Sequence, residues 1–326
     1  MPRKRGLNVH GIVLLDKPAG ISSNRALQKV RGMFRARKAG HAGSLDPFAT
    51  GMLPVCLGES SKTAAFMLDA GKRYRATARL GEATSTGDLE GQVIQSCPVP
   101  AIDTGDLEAV LQQFAGEIEQ IPPMYSALKH QGRPLYEYAR AGIEIERPAR
   151  QVTIHRIDLL DWRPPDLSFK VHCSKGTYIR TLAEDIAKAL GSCAHLVELR
   201  RTAVEPFEDH PMHTLDHLQQ ALDRNELQAC LLPVDAGLAD WPKVHLDAAQ
   251  QNKFRHGNRF TVAAMESAAG KVRVYGPDGD LQGLAELTAE VSGDGRAGQV
   301  ASASVTTAGP PNSVSTAESP AASPSP

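Results

Sequence analysis

Apolar residues recur along the chain in two rhythms. The run at 11–15 is apolar after its glycine and is closed by Asp16-Lys17-Pro18-Ala19-Gly20, which predicts a short buried strand ending in a turn. Beyond it Leu27, Val30 and Phe34 fall at helical spacing with Ala26 and Met33 beside them, and Ser22 or Ser23 stands where an N-cap belongs. Arg25, Lys29, Arg31 and Arg35 occupy the other side, so this helix has one apolar and one basic face. Residues 52–57 read as a second strand. From 74 to 80 the period becomes two: Tyr74, Ala76, Ala78 and Leu80 alternate with Arg75, Thr77 and Arg79, one side packing and the other cationic. Leu107, Val110, Leu111 and Phe114 form a helical stripe behind Thr104 or Asp106 as cap. Residues 121–150 mix aromatic and basic residues with Pro122-Pro123 and no clean period, which predicts an irregular, exposed insertion. Leu167, Phe169, Val171 and Cys173 alternate along a further strand, followed through Lys175-Gly176 by a helix marked by Leu182, Ile186 and Leu190 and stopped at Gly191. Strands alternating irregularly with helices predict an α+β fold around a mixed sheet.

The last third reads differently. A linker near 231–241 precedes a short helix at 248–254 and a hairpin, 271–275 and 281–287, turning at Gly276-Pro277-Asp278-Gly279. This is a small β-rich domain. Residues 292–326 are mostly Ala, Ser, Thr, Pro and Gly, with only Asp294, Arg296 and Glu318 charged, and such a segment buries too little surface to offset its chain entropy. It is expected to be a disordered tail. The total of 326 residues fits two domains, and 41% hydrophobic with 22% charged residues excludes fibrous, coiled-coil and wholly disordered classes. No apolar run approaches the ~20 residues of a membrane span, and no secretory core follows the basic start, so a cytoplasmic protein is expected.

Cysteines and histidines add little at this level. Five cysteines, an odd number without a C-x-x-C pair, read as buried small hydrophobes rather than a disulfide framework or zinc site. The histidines are read as lacking an H-x-x-x-H pair of the metalloprotease kind, and no EF-hand or P-loop pattern is present; neither metal nor nucleotide cofactor is expected. Charge is more informative. The net charge of −1 conceals 14 Lys and Arg against 4 Asp and Glu within residues 1–75. A basic amino-terminal portion on an otherwise acidic chain points to a local polyanion footprint.

The densest chemical signal is the stretch from Gly40 to Glu59, where four glycines and two prolines in 20 residues build a tight loop that runs straight into an apolar strand. Catalytic groups gather on loops held by a rigid strand. Asp46 sits mid-loop before Pro47; by itself an Asp-Pro pair is more often an ordinary Asx-turn.

The whole string says more. Gly11-Ile-Val-Leu-Leu-Asp-Lys-Pro-Ala-Gly-Ile-Ser-Ser-Asn, the 40–59 loop, Lys72-Arg-Tyr-Arg, Ile121-Pro-Pro-Met-Tyr-Ser-Ala-Leu-Lys, Cys173-Ser-Lys-Gly-Thr-Tyr-Ile-Arg-Thr and Leu199-Arg-Arg occur in the order seen in the bacterial tRNA pseudouridine synthase B family, which the chain resembles over residues 11 to about 205. The resemblance implies the pseudouridine synthase fold, a central mixed, mainly antiparallel sheet flanked by helices, and a small carboxyl-terminal barrel of the PUA type. It implies a basic arm at 1–10, a catalytic domain at 11–235 with an RNA-clamping insertion at about 121–150, the PUA-like domain at 239–291 and the tail at 292–326. It also implies an activity: isomerisation of the uridine at position 55 in the T loop of tRNA, without cofactor, metal or obligate protein partner.

Residue by residue, Asp46 matches the catalytic aspartate, Tyr74 the tyrosine that stacks on the target base and Arg180 the arginine that pairs with the aspartate. Tyr178 and Leu199 match pocket-lining positions, Lys17 lies in the supporting loop among the substrate-binding positions, and His41 matches the histidine that enters the RNA fold. The reaction breaks a C1′–N1 bond, turns the uracil and rejoins it through C5, so a single carboxylate suffices as nucleophile or as acid and base. The target must leave its stack, at a cost of a few kcal/mol that aromatic stacking and phosphate contacts offset. The basic helix face, with the Arg75 and Arg79 side of the next strand, is expected to supply those contacts. Ala42 and Ser44 depart from the family pattern in the loop. Two other readings stand beside this one: a tRNA-binding protein or RNA chaperone without catalysis, for which Asp46 has no use, and a glycoside hydrolase, which needs a second carboxylate that the Asp46 loop lacks.

Overall fold

The computed structural model describes residues 6–262, 270–291 and 297–306; residues 1–5 of the basic arm and 307–326 of the tail lie outside them. The chain divides into two compact units at Ala239.

In the first unit β1 (Gly11–Lys17), α1 (Ser23–Met33), β2 (Ala39–His41), β3 (Thr50–Leu57) and α2 (Ser60–Leu68) lead to β4 (Lys72–Leu80). A short hairpin of β5 (Glu82–Thr84) and β6 (Val93–Ser96), then α3 (Thr104–Gln112) and β7 (Gly116–Gln120), precede the insertion, which holds β8 (Lys129–His130), β9 (Arg133–Pro134) and α4 (Leu135–Arg140). The long strands β10 (Arg150–Arg163) and β11 (Asp166–Cys173), helix α5 (Ile179–Ala189), β12 (Ala194–Val204) and α6 (Leu215–Asp223) complete it. Eight strands form one sheet in the order β1-β3-β12-β4-β11-β10-β7, with β2 beside β3. Only β12 with β3 is parallel, so the sheet is mixed, as the patterning predicts, and mainly antiparallel, as the family resemblance implies.

Burial explains the strand sequences. β1 as far as Leu15 and β3 from Met52 are apolar because both their faces are covered. On one side Val13, Leu15, Leu53 and Val55 pack under Ala26, Leu27 and Val30 of α1; on the other Ile12, Leu14, Met52 and Cys56 meet Met67 of α2 and Phe207. β4 alternates because only one of its faces is covered, Ala76, Ala78 and Leu80 lying in the core with α3 and α5. Arg73, Arg75 and Arg79 stand on the opposite, open face, where Arg79 holds Asp166 through bonds of 2.8 and 2.9 Å. The cationic side of β4 therefore points away from Tyr74 and the core.

Local signals explain the helix ends. Ser22 caps α1 by accepting from the Arg25 N–H, and Gly191 after α5 adopts φ +70°, where glycine is favoured. The cap of α3 is Asp103, one residue before the expected Thr104. β10 escapes the period-two reading because bulges at Ile154/Arg156 and Leu159/Asp161 break its alternation.

Two expectations are corrected. Cys97 and Cys193 form a disulfide, while Cys56, Cys173 and Cys230 are free and buried. A pair separated by 96 residues leaves no spacing signal, since connectivity depends on which strands meet. The second unit, with β13 (Lys243–His245), α7 (Ala248–Arg255), β14 (Phe260–Val262), β15 (Gly270–Tyr275), β16 (Leu281–Val291) and β17 (Ala297–Thr306), forms a five-stranded sheet in the order β13-β15-β16-β17-β14. β17 falls inside the segment expected to be tail. Its backbone pairs with β16 and β14, so a composition short of large apolar residues does not keep a segment out of a sheet whose edges supply its hydrogen bonds.

Gly51 is where β3 and β12 meet. Its φ is +102°, and a Cβ there would overlap the Arg201 carbonyl. Gly51→Ala is expected to lower unfolding free energy by more than about 2 kcal/mol in urea titration, from backbone strain and the clash together. Gly191→Ala, with a similar left-handed φ but open space around it, is expected to lose only about 1 kcal/mol.

Candidate active site

The loop between β2 and β3 is held at three successive points by buried polar side chains. Arg201, 1% exposed, donates from Nη2 to the Gly43 carbonyl at 3.1 Å, from Nη1 to the Ser44 carbonyl at 3.4 Å and from Nε to the Met52 carbonyl at 2.7 Å. The buried Ser23 hydroxyl accepts from the Leu45 N–H at 2.7 Å and donates to the Leu45 carbonyl at 2.9 Å. Lys17, fully buried, spends its ammonium on the carbonyls of Pro18, Ile21 and Pro47 at 2.9, 2.7 and 3.1 Å. Burial lowers its pKa to about 8, against the opposing attraction of Asp46. Lys17 thus supports the loop from behind. The departures at Ala42 and Ser44 leave these anchors intact, because Ser44 contributes only its carbonyl.

Asp46 projects from this anchored loop onto Arg180. Arg180 lies at the start of α5, 4% exposed, and its Nε meets the Asp46 carboxylate at 3.0 Å. Its two terminal nitrogens donate as well: Nη1 to the Thr86 carbonyl and Nη2 to the Tyr125 carbonyl, both at 2.7 Å, with the Asp88 carboxylate 3.7 Å from Nη1. Asp88 is buried and is fixed by the Thr86 hydroxyl and the Glu90 N–H. One guanidinium therefore serves two carboxylates. Desolvation raises the pKa of Asp46; Arg180 opposes this, and Asp88 adds to it.

Asp46 stands on the wall between two clefts of about 590 and 530 Å³, and 36% of its side chain remains open to them. Tyr74, Tyr178, Ile179 and Leu199 line the first cleft beside Lys72 and Arg201. These flat and branched surfaces suit a planar base. Burial raises the pKa of the Tyr74 phenol, partly offset by Arg201, so the ring is neutral at physiological pH. Tyr178 is held at the start of α5 by Gln120, whose side-chain amide accepts its N–H and donates to its carbonyl. His41 lies across the wall in the second cleft with Ser22, Asn24, Glu90, Tyr136 and Arg140. Burial lowers its pKa, Arg201 reinforces the shift, and its buried Nδ1 has no partner among the described residues.

The structure thus brings Asp46, Arg180, Tyr74, Tyr178 and Leu199 around one cleft, His41 into its neighbour, and Lys17 beneath the loop. Patterning missed Asp88, Arg201 and Gln120. Asp88 sits in the turn-rich segment Thr84-Ser-Thr-Gly-Asp88, whose composition marks a loop but not its partner; Arg201 is the last residue of the Leu199-Arg-Arg string. The insertion is more than an exposed appendage. Ser126, Ala127 and Leu128 line the first cleft, and Tyr125 accepts from Arg180, tying this segment to Asp46 through one side chain.

Comparison with known proteins agrees with this geometry. Residues 31–179 match the TruB family pseudouridylate synthase N-terminal domain, residues 180–239 the tRNA pseudouridylate synthase B C-terminal domain, and residues 242–292 the pseudouridine synthase II TruB C-terminal domain. The tRNA pseudouridine synthase B of Chromohalobacter salexigens is 51% identical over 287 residues, covering 88% of this chain and 93% of that protein. That of Nitrosococcus oceani is 52% identical over 262 residues, covering 80% and 85%. Among solved structures, a chain of a Cbf5–Nop10–Gar1 complex superposes with a TM-score of 0.65 at 27% identity, covering 86% of this chain and 78% of that one. With relatives of this identity along nearly the whole chain, and the conspicuous loop aspartate set against a buried arginine, the protein belongs to the TruB family of pseudouridine synthases.

Proposed function

We propose that this protein converts uridine to pseudouridine in tRNA, acting on position 55 of the T loop, in the cytoplasm and without a protein partner. The single observation that carries the reading is Asp46: a carboxylate on a rigidly anchored loop, paired with a buried guanidinium and open to a base-sized cleft. A protein that only bound RNA would gain nothing by presenting an anion there. Asp88, the carboxylate that shares Arg180 with Asp46, is buried and committed to its own loop, so it is not the second acid that the hydrolase alternative needs.

Each group then has a task. Tyr74 and Leu199 hold the everted uracil by its faces, contributing ~1–3 kcal/mol of stacking toward the cost of extrusion. Asp46 acts at the ribose or the base as nucleophile or as proton acceptor, in the ionised form in either case. Arg180 keeps it ionised and aimed. His41, a neutral ring with a free nitrogen beside the cleft, occupies space that the extruded nucleotide vacates in the RNA. The insertion closes over the RNA arm, and the exposed cations of α1, whose first residues border the second cleft, take phosphates.

Three outcomes are expected. Asp46→Asn should bind tRNA nearly as the parent does while the isomerisation rate falls by at least about a thousand-fold, measured by uridine-specific mapping of tRNA. Undiminished product from this variant would falsify the assignment. Because burial raises the pKa of Asp46, activity should fall as pH drops through a point above the ordinary carboxylate range; Arg180→Gln should move that acid limb upward as well as lowering the plateau. Finally, binding should weaken with salt, and Lys29→Gln should reduce the slope of log affinity against log salt by about one unit. Arg79→Gln, on the open face and already paired with Asp166, should leave that slope unchanged.

A further inference from the structure

His213 and His217 stand four residues apart, which corrects the expectation of no H-x-x-x-H pair, and the fold adds Cys230 to them. His213 immediately precedes Thr214, the cap of α6; His217 lies in the first turn of that helix; Cys230 closes the 3-10 turn Leu227–Cys230. The two imidazoles stack at 5.0 Å between centroids, and the two ring nitrogens and the sulfur concerned all lie within 4.8 Å of one another. None of these three side chains makes a hydrogen bond among the described residues, although Cys230 is buried and His213 half-buried. None lines the clefts around Asp46.

We propose that His213, His217 and Cys230 form a binding site for a divalent transition cation of zinc's character, which staples α6 to the segment behind it. Two imidazoles and a thiolate are the mixed nitrogen and sulfur donors that borderline-soft cations select over magnesium or calcium. Tetrahedral bonds of ~2.0–2.3 Å place such donors about 3.4 to 3.6 Å apart, so the trio needs to close by roughly an ångström, within reach of side-chain rotation. His217 is exposed and gives the cation its entrance. The fourth position falls to water. Binding converts the Cys230 thiol to thiolate with release of one proton, an equilibrium that becomes more favourable as pH rises.

The arrangement also has a structural target. The His213 N–H donates to the Leu14 carbonyl at 2.8 Å and its carbonyl accepts from the Asp16 N–H at 2.9 Å. A cation at this trio therefore ties α6 and the 227–230 turn to β1, the strand that ends at Lys17 and supports the Asp46 loop.

The test is a titration of the full-length, metal-free protein with Co²⁺ alone, followed by competition with Zn²⁺. The expected result is one equivalent bound, with a thiolate-to-cobalt charge-transfer band that Zn²⁺ abolishes. Cys230→Ser should lose the band, and His217→Ala, at an exposed position that does not threaten folding, should weaken cobalt binding at least ten-fold. Zinc should raise the melting temperature of the parent but not of His217→Ala. Absence of the band, its persistence in Cys230→Ser, or equal affinity in His217→Ala would overturn the proposal. Each of these readings is independent of isomerase activity.

Discussion

The site depends on a buried guanidinium whose three nitrogens each find an acceptor. Removing a charge from water costs several kcal/mol, and the cost is offset by hydrogen bonds and opposite charge. Arg180 finds these in the Asp46 carboxylate, two backbone carbonyls and the nearby Asp88. Those partners come from the loop before β3, the turn after β5 and the insertion after β7. The same side chain thus sets the direction of the Asp46 carboxylate and the position of the wall beside it. An arginine is suited to this task and a lysine is not, because the planar fork addresses several acceptors at fixed angles and keeps its charge on burial.

A second layer of cations fixes the loop itself. Arg201 and Lys17 hold its two ends by carbonyls, and Ser23 holds its middle. Backbone carbonyls are acceptors that ordinary substitutions in the loop leave in place, which is why Ala42 and Ser44 can depart from the family pattern without releasing Asp46. The electrostatic outcome is a balance. Burial and Asp88 push the Asp46 pKa upward while Arg180 and Lys17 pull it down, so the group stays basic enough to react and ionised enough to do so.

Much of this was legible in the sequence, for reasons that can be named. The 11–15 run, the alternation at 74–80 and the stripe of Leu182 and Ile186 each carry a clean period, and each becomes an element with the expected face buried. The loop was legible from its glycines and prolines. Its pairing with Arg180, 134 residues away, was not a matter of pattern and came only from the family resemblance. Asp88, Arg201 and the Cys97–Cys193 pair were invisible because their meaning arises from which strands lie side by side. β10 was hidden by its own bulges, and β17 by a composition that says nothing about backbone pairing.

The charge count shows how the fold redistributes what the sequence contains. Fourteen basic residues in the first 75 point to a local polyanion footprint. On the open face of the sheet, however, several cations meet acids: Arg79 with Asp166, Arg156 and Lys170 with Asp158, Arg73 with Glu208. Exposed pairs of this kind add little stability, but they cancel the field that would draw a phosphate backbone. Arg25, Lys29, Arg35, Arg37 and Lys38, on α1 and just after it, form no ion pair among the described residues. The unpaired positive charge is therefore concentrated on the helix whose first turn borders the Asp46 loop, where the β-sheet alternation alone would have spread it over both sides. A chain of net charge −1 can keep a local positive field on one helix because cations elsewhere, Arg79, Arg156 and Lys170 among them, are paired with acids.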